Sequence, residues 1–550
     1  SRGMIHTGTI AGSSYVIRES EFNFNVEWTS SAISASSTIY VDTNRFTHGY
    51  TRFYSSATTD SQVTFKNNWL DGTTTDYGLS FERTSTFTRS LVTLESNTIV
   101  SARKHALHFE AGSTIYTGSL LAMTNNTCIA PYSSNDAMML HINGDGKVSV
   151  DNTNEFKGDI YVYATAGFKN SRLDIANSPG VRMFYFYATG SYPTTQNSVI
   201  SLNSVTVAHQ FYFYANGLKQ SNVTFANVNH IGGSSFTFEL GASASTENSI
   251  VFRDNTCTHS FGGYLSNSES LFYNNHWTKS STVNYHMGHS NKAKTVMTGN
   301  NWYTLSVSRP YVDSTFYGAH NLARFHMTFT SAPFSGASLL HFENNVFTKA
   351  SSSYNVYMVS STIQTGSVHQ WNDNTFEHTS SYGHCLYYST NAGVYSGGEL
   401  HIISNKFVTR STSSYGIYCA AVSGTANRYA RIVIAGNDLS AGGRTYVYGY
   451  YANNIKFMNN KLTTFANTYF YAIAYSGSAT RQCGCNTFLD GTTLDCEAHT
   501  GAVGYTNVDC ASTYDRCSGA SSASVNAVPS TSACLIPSAV PVPKDPTPFT

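Results

Sequence analysis

Charge is scarce in this sequence: Asp, Glu, Lys and Arg make up 12% of 550 residues, with 32 acidic and 32 basic side chains. That balance excludes the basic footprint of a nucleic-acid binder and the polybasic segment that holds a protein on anionic lipid. Long hydrophobic runs are missing as well. No stretch approaches the roughly 20 apolar residues of a membrane-spanning helix, so no direct membrane insertion is expected. Helix-capping patterns and 3.6-residue apolar periodicity are nearly absent, which excludes helical solenoids. No signal peptide is recognisable, and the opening Ser1-Arg2-Gly3 reads as a processed chain or a piece of a longer precursor.

What is present is a repeat. Hydrophobic residues form 41% of the chain and aromatics 14%, and they recur in the order apolar, any, apolar, two of any, Asn, any, apolar. Strict copies centre on Asn44, Asn68, Asn97, Asn126, Asn255, Asn345, Asn405, Asn437 and Asn460, and looser ones on Asn203, Asn275, Asn301, Asn374 and Asn486. Neighbouring copies mostly lie 23 to 32 residues apart. Apolar residues two apart face the same side of a strand. Asn suits the following corner, because it tolerates left-handed φ and bonds nearby backbone. One Asn per coil can also build an amide ladder along the stacking axis. A second strand follows in most coils, as in Phe184-Tyr185-Phe186-Tyr187 and Phe211-Tyr212-Phe213-Tyr214. A unit this short cannot bury its own apolar face, so the coils must stack. The expected fold is all-β: a right-handed parallel β-helix of roughly 17 to 19 coils over residues 1–480. A Cys-rich cap is expected over 481–535 and a Pro-rich, polyproline-like linker or tail over 536–550.

Cysteines fall into two groups. Cys483, Cys485, Cys496, Cys510, Cys517 and Cys534 crowd the C-terminal region and predict disulfides and an oxidising compartment. Zinc is disfavoured because Cys483 and Cys485 are separated by one residue and no paired His follows. Cys128 and Cys257 occupy the same interior position in distant coils and read as buried thiols. A Cys385–Cys419 bond is disfavoured, because their offsets from the local Gly differ by one residue.

Coils such as Ser413-Ser414-Tyr415-Gly416-Ile417-Tyr418-Cys419, followed by Arg431-Ile432-Val433-Ile434-Ala435-Gly436-Asn437, resemble the repeats of the dispersed gene family surface proteins of trypanosomes and related kinetoplastids. The close from Cys483-Gly484-Cys485-Asn486 to Asp515-Arg516-Cys517 is similar too. The resemblance implies a large, glycosylated, adhesive surface protein with a membrane-anchored end, though this sequence shows no such anchor.

Parallel β-helices also include pectate lyases and polygalacturonases, so catalysis is tested residue by residue. The galacturonase pattern of Asn-Thr-Asp, paired Asp and Gly-His-Gly does not occur; His48-Gly49 and Arg431-Ile432 are isolated fragments. No pair of coils obviously supplies two carboxylates within about 10 Å. Asp145-Gly146-Lys147 with Asp151 reads as a Gly-rich turn with solvated charges, and Arg253-Asp254 as a surface ion pair. The 19 His residues show no metal-site spacing. No catalytic residue, cofactor or metal site is therefore expected. The expectation is a non-enzymatic structural or adhesive glycoprotein, extracellular or on the cell surface. Its partners would be copies of itself, other surface or filament proteins, or glycans, and the alternative is a carbohydrate-active β-helix enzyme. Sequons at Asn125 and Asn222 are candidate glycosylation sites. Tyr alternating with Phe predicts an outward aromatic stripe, which marks contact surfaces. The N-terminal segment shows no capping device, so head-to-tail self-assembly is a further expectation.

Overall fold

In a computed structural model, the chain forms two compact units, Ser1–Ser308 and Arg309–Thr550. Residues 3–491 are described, apart from short stretches between strands, the longest being 423–429 and 472–479. Among the described residues the regular structure is entirely β, with no helix. Each unit is a stack of coils whose strands pair in parallel, as a parallel β-helix requires.

One coil of the first unit shows the plan. A first strand, Gln62–Lys66, runs to an Asn corner at Asn67 and Asn68. A second strand, Trp69–Gly72, and a third, Tyr77–Glu82, follow. A short fourth strand in the next stretch, Thr86–Thr88, leads through Arg89 and Ser90 to the next first strand, Leu91–Glu95. Alternation decides which way each side chain points. Val63 and Phe65 are fully buried while Thr64 and Lys66 are not. Among the described residues, twelve such first strands, from Ser14–Arg18 to Lys294–Thr298, belong to the first unit, and seven, from Thr315–Ala319 to Thr480–Gly484, to the second.

Stacking places like residues above one another inside. Phe186 lies on Phe213, which lies on Phe238, each at 4.8 Å between ring centroids. Phe347, Phe376 and Phe407 repeat that spacing in the second unit. The value matches the distance between hydrogen-bonded strands, so the ring stack follows from strand pairing.

The Asn corner differs from expectation in one respect. The left-handed residue is the one before the buried Asn: Asn67, Ser96, Asn125, Asp254, Asn344, Asp373 and Ser404 all have φ near +50° to +57°. The buried Asn is not left-handed. Its work is done by the side-chain amide. Nδ2 of Asn68 donates to Oδ1 of Asn97 at 3.0 Å and to the Val41 carbonyl at 2.8 Å, while Oδ1 accepts from the N–H and Nδ2 of Asn44. The ladder runs Asn44–Asn68–Asn97–Asn126–Asn154 and resumes at Asn255–Asn275–Asn300. In the second unit it runs Asn321–Asn345–Asn374–Asn405–Asn437–Asn460–Asn486. Two looser assignments shift by one or two positions. Asn300, not Asn301, is the ladder member, and the coil of Asn203 has Val205 at the buried position. Asn203 is exposed and ends its strand.

A second ladder occupies the corner before the first strand. Ser61 N–H donates to Ser90 Oγ at 3.3 Å and Ser90 N–H to Ser119 Oγ at 3.0 Å; Ser171, Ser198 and Ser221 repeat the pattern. A hydroxyl accepts an N–H that the turn would otherwise strand in the interior.

The β-helix extends past residue 480, because Thr480–Gly484 pairs with Asn454–Met458 and Thr487–Phe488 with Lys461–Leu462. Cys128, Cys385 and Cys419 are buried thiols. Cys419 stands opposite Tyr388, three positions beyond Cys385, so the two sulfurs are not joined. Cys257, Cys485, Cys496, Cys510, Cys517 and Cys534 lie outside the described residues, as do the side chain of Cys483 and the whole Pro-rich tail.

Candidate binding face

The third strands carry the richest chemistry, all on their outer side. In the first unit, register sets Glu27, Arg52, Ser80 and His108 in one column, continued by Met139, Tyr161, Tyr185 and Tyr212. Beside it, His141, Tyr163, Tyr187, Tyr214 and Glu239 form a second column. Strand alternation positions these residues. Phe184, Phe186, Phe211 and Phe213 are fully buried, which turns the intervening Tyr outward.

The column begins with a charge cluster. The Arg52 guanidinium reaches Glu27 at 2.9 Å and Glu82 at 3.5 Å, and lies over the rings of Tyr50 and Tyr54. Burial raises the Glu82 carboxyl, while the Ser80 hydroxyl at 2.8 Å and Arg52 draw it back down. Tyr50 donates to Glu27, and burial together with that carboxylate pushes its phenol up to about 12. Phe81 pairs with Phe109 and the Glu110 N–H donates to the Phe81 carbonyl, so Glu110 follows Glu82 one coil on, where its carboxylate accepts from the Arg83 N–H. Because one guanidinium touches both Glu27 and Glu82, carboxylates from different coils do come within about 10 Å here, against the expectation that no coil pair supplies them.

Next come Tyr77, His105 and His108. His108 stacks on His105 at 4.4 Å and on Tyr77 at 5.0 Å. Burial, reinforced by the neighbouring His105, lowers its pKa to about 3, so it is neutral at physiological pH. His105 Nδ1 lies 2.6 Å from Asp136. Two coils further on, Arg182 holds the buried Asp159 through the Nε and Nη2 donors of one guanidinium edge, with Nε to Oδ1 at 2.7 Å. Burial still raises the Asp159 carboxyl despite that partner.

Tyrosines dominate from there. Tyr185 stacks on Tyr212 at 4.8 Å, and Tyr187 meets Tyr214 at 5.1 Å with the rings tilted by 31°. The second unit repeats the device on the same strand of its coils: Tyr357, Tyr387, Tyr418 and Tyr446 are in register. Rings stacked on one another spend their faces on neighbours and offer edges and hydroxyls to solvent.

The remaining residues singled out from the sequence lie away from this face. The Asn ladder is buried and serves the backbone. Asn125 is exposed and left-handed, with Nδ2 on Ser96 Oγ at 3.1 Å, and Asn222 is exposed at a strand start. Arg253 meets Asp254 at 3.4 Å on the surface. Asp145 lies outside the described residues, and Asp151 caps its own turn through Thr153 N–H at 3.1 Å. Among the described residues no group of three or more His, Cys, Asp or Glu is placed to hold a metal.

Glu27, Arg52, Glu82, His105, His108, Asp136, Asp159 and Arg182 are not singled out by the sequence alone. Their signal is the coil period itself. Asp136, Asp159 and Arg182 follow one another at intervals of 23 residues, a pattern visible only once the coils are aligned.

No protein-family model and no curated protein matches the sequence. Among solved structures, a PL6 family alginate lyase aligns over 87% of this chain and 93% of its own, at 8% identity and a TM-score of 0.20.

Proposed function

We propose that this β-helix is a non-enzymatic structural or adhesive protein, extracellular or on the cell surface, that binds through the outer face of its third strands. The observation that carries the reading is the in-register Tyr column on that face in each unit. Tyr offers large contact area at low side-chain entropy cost, with a hydroxyl for polar partners. The charged groups beside it are already committed to one another, Arg52 to Glu27 and Glu82, Arg182 to Asp159. They hold the face in shape rather than wait for a substrate. Partners of matching chemistry are glycans, other surface or filament proteins, and further copies of the chain. Replacing Tyr185 and Tyr212 by Ser should abolish binding to glycan arrays, to cells or to itself while the melting temperature holds. Binding unchanged in that variant refutes the proposal. Self-association is read by light scattering, and a monodisperse monomer at high concentration counts against that partner.

One observation favours a second reading, a carbohydrate-active enzyme. Glu82, with its raised carboxyl, is followed one coil on by Glu110, and glycoside hydrolysis uses two carboxyl groups of which one is held protonated. Release of reducing ends from polysaccharides that disappears in Glu110→Gln would favour it over adhesion.

A further inference from the structure

We propose that the tyrosine column of the second unit is a site of oxidative cross-linking, in which Tyr387 and Tyr418 of adjacent coils are joined by a carbon–carbon bond. The two residues are opposite each other in the parallel sheet. Their rings lie 4.1 Å apart and within 4° of parallel. Tyr446 continues the stack at 4.6 Å and 12° from Tyr418. All three are half-buried on the outer face, open to a small oxidant yet fixed by strand pairing. Two phenoxyl radicals formed here meet without diffusion, which removes the entropic cost that makes such coupling rare between free side chains.

The chemistry balances with a peroxide as oxidant and a haem peroxidase as its activator. Each phenol gives up one electron and its hydroxyl proton. The two ortho carbons then form the new bond, and the hydrogens they carried move to the oxygens as the rings regain aromaticity. Hydrogen peroxide takes up both electrons and both protons and leaves as two waters. The Tyr387 and Tyr418 side chains are hydrogen-bonded, and burial with that bond holds the Tyr387 phenol protonated, so its proton is given up as the electron leaves rather than beforehand. Tyr185 and Tyr212, at 4.8 Å and 17°, present a similar pair in the first unit. A bond between residues 387 and 418 closes a loop through one whole coil. It would stabilise the stack as a disulfide does, by constraining the unfolded chain.

The test treats the dilute full chain with hydrogen peroxide and a haem peroxidase. Dityrosine fluorescence and cross-linked tryptic peptides are measured on monomer-sized material. The expected product joins Tyr387 to Tyr418 with the loss of two hydrogens and raises the melting temperature. Tyr418→Phe keeps the ring and the fold but loses that product and the thermal shift. Tyr395→Phe, at an exposed position outside the stacks, changes neither. Cross-links found only between molecules, or at Tyr395 in preference to the Tyr387–Tyr418 pair, would overturn the assignment.

Discussion

Replacing Asn345 by Leu tests how much the amide ladder contributes. Asn345 is 1% exposed. Its Nδ2 donates to the carbonyls of Gly318 and Glu343 and to Asn374 Oδ1, all at 2.9 Å. Its Oδ1 accepts the main-chain N–H and Nδ2 of Asn321, also at 2.9 Å. Leu is close in volume, so the loss is polar rather than steric. It takes the amide partner from the Asn321 main-chain N–H and the Gly318 carbonyl in the coil before, and one of two donors from Asn374 Oδ1 in the coil after, which keeps the main-chain N–H of residue 345. Each buried group deprived of its partner costs about 1–3 kcal/mol, which puts the substitution at about 3–5 kcal/mol. Chemical denaturation followed by far-UV circular dichroism gives the total. Hydrogen exchange should show the loss centred on the coils of Asn321, Asn345 and Asn374, because solenoid coils couple mainly to their neighbours. Next door, Asn344 at φ +52° supplies a contrast. Asn344→Gly should be nearly neutral, since it keeps the left-handed turn without the bonds that matter at Asn345. An Asn345→Leu change within about 0.5 kcal/mol of wild type would refute the ladder as a stabilising element.

Lys349 is buried beneath the Phe325 ring, 3.9 Å from its centroid, and burial lowers its pKa from 10.5 to about 8. The unfolded chain therefore binds that proton more tightly, and stability should rise by up to about 3 kcal/mol from pH 8 to 10.5. Lys349→Met should be the more stable protein at pH 7 and lose that rise, and equal pH profiles for the two refute the cause. Arg182→Ala leaves the Asp159 carboxylate buried without its cation and should cost about 3–5 kcal/mol at pH 7. Asp159→Asn should cost less, and urea denaturation orders the two. Expressed in a secretory host, the chain should lose mass on N-glycosidase treatment through Asn125 or Asn222, and an unshifted intact mass rules out N-linked glycans at both.

The parallel β-helix was legible because its signal is periodic. Val63, Phe65, Asn68 and Leu70 state one coil, and the same spelling recurs wherever a coil is regular. Two features were harder to read. In the corner, Asn67 and Asn68 are chemically identical, and only the fold shows that one supplies the left-handed turn and the other the buried amide. Ser90 and Ser119 form their own ladder, but Ser is so common in this sequence that its spacing does not stand out. The face chemistry was legible at the tyrosines, whose alternation with Phe announces an outward position. It was hidden at Arg52 and Glu82, because partners a coil apart in sequence become neighbours only after stacking.

Sequence separation along the amide ladder varies from 20 residues between Asn255 and Asn275 to 32 between Asn405 and Asn437, yet the bond lengths are 2.9 and 3.1 Å. The axial rise is thus indifferent to how much chain each turn consumes. Extra residues leave sideways as loops, and the pitch is unaltered. Such a ladder works as a ruler with fixed graduations. Evolution can lengthen a loop to remodel the surface, or duplicate and excise a whole coil from one Asn to the next, without retuning the coils on either side.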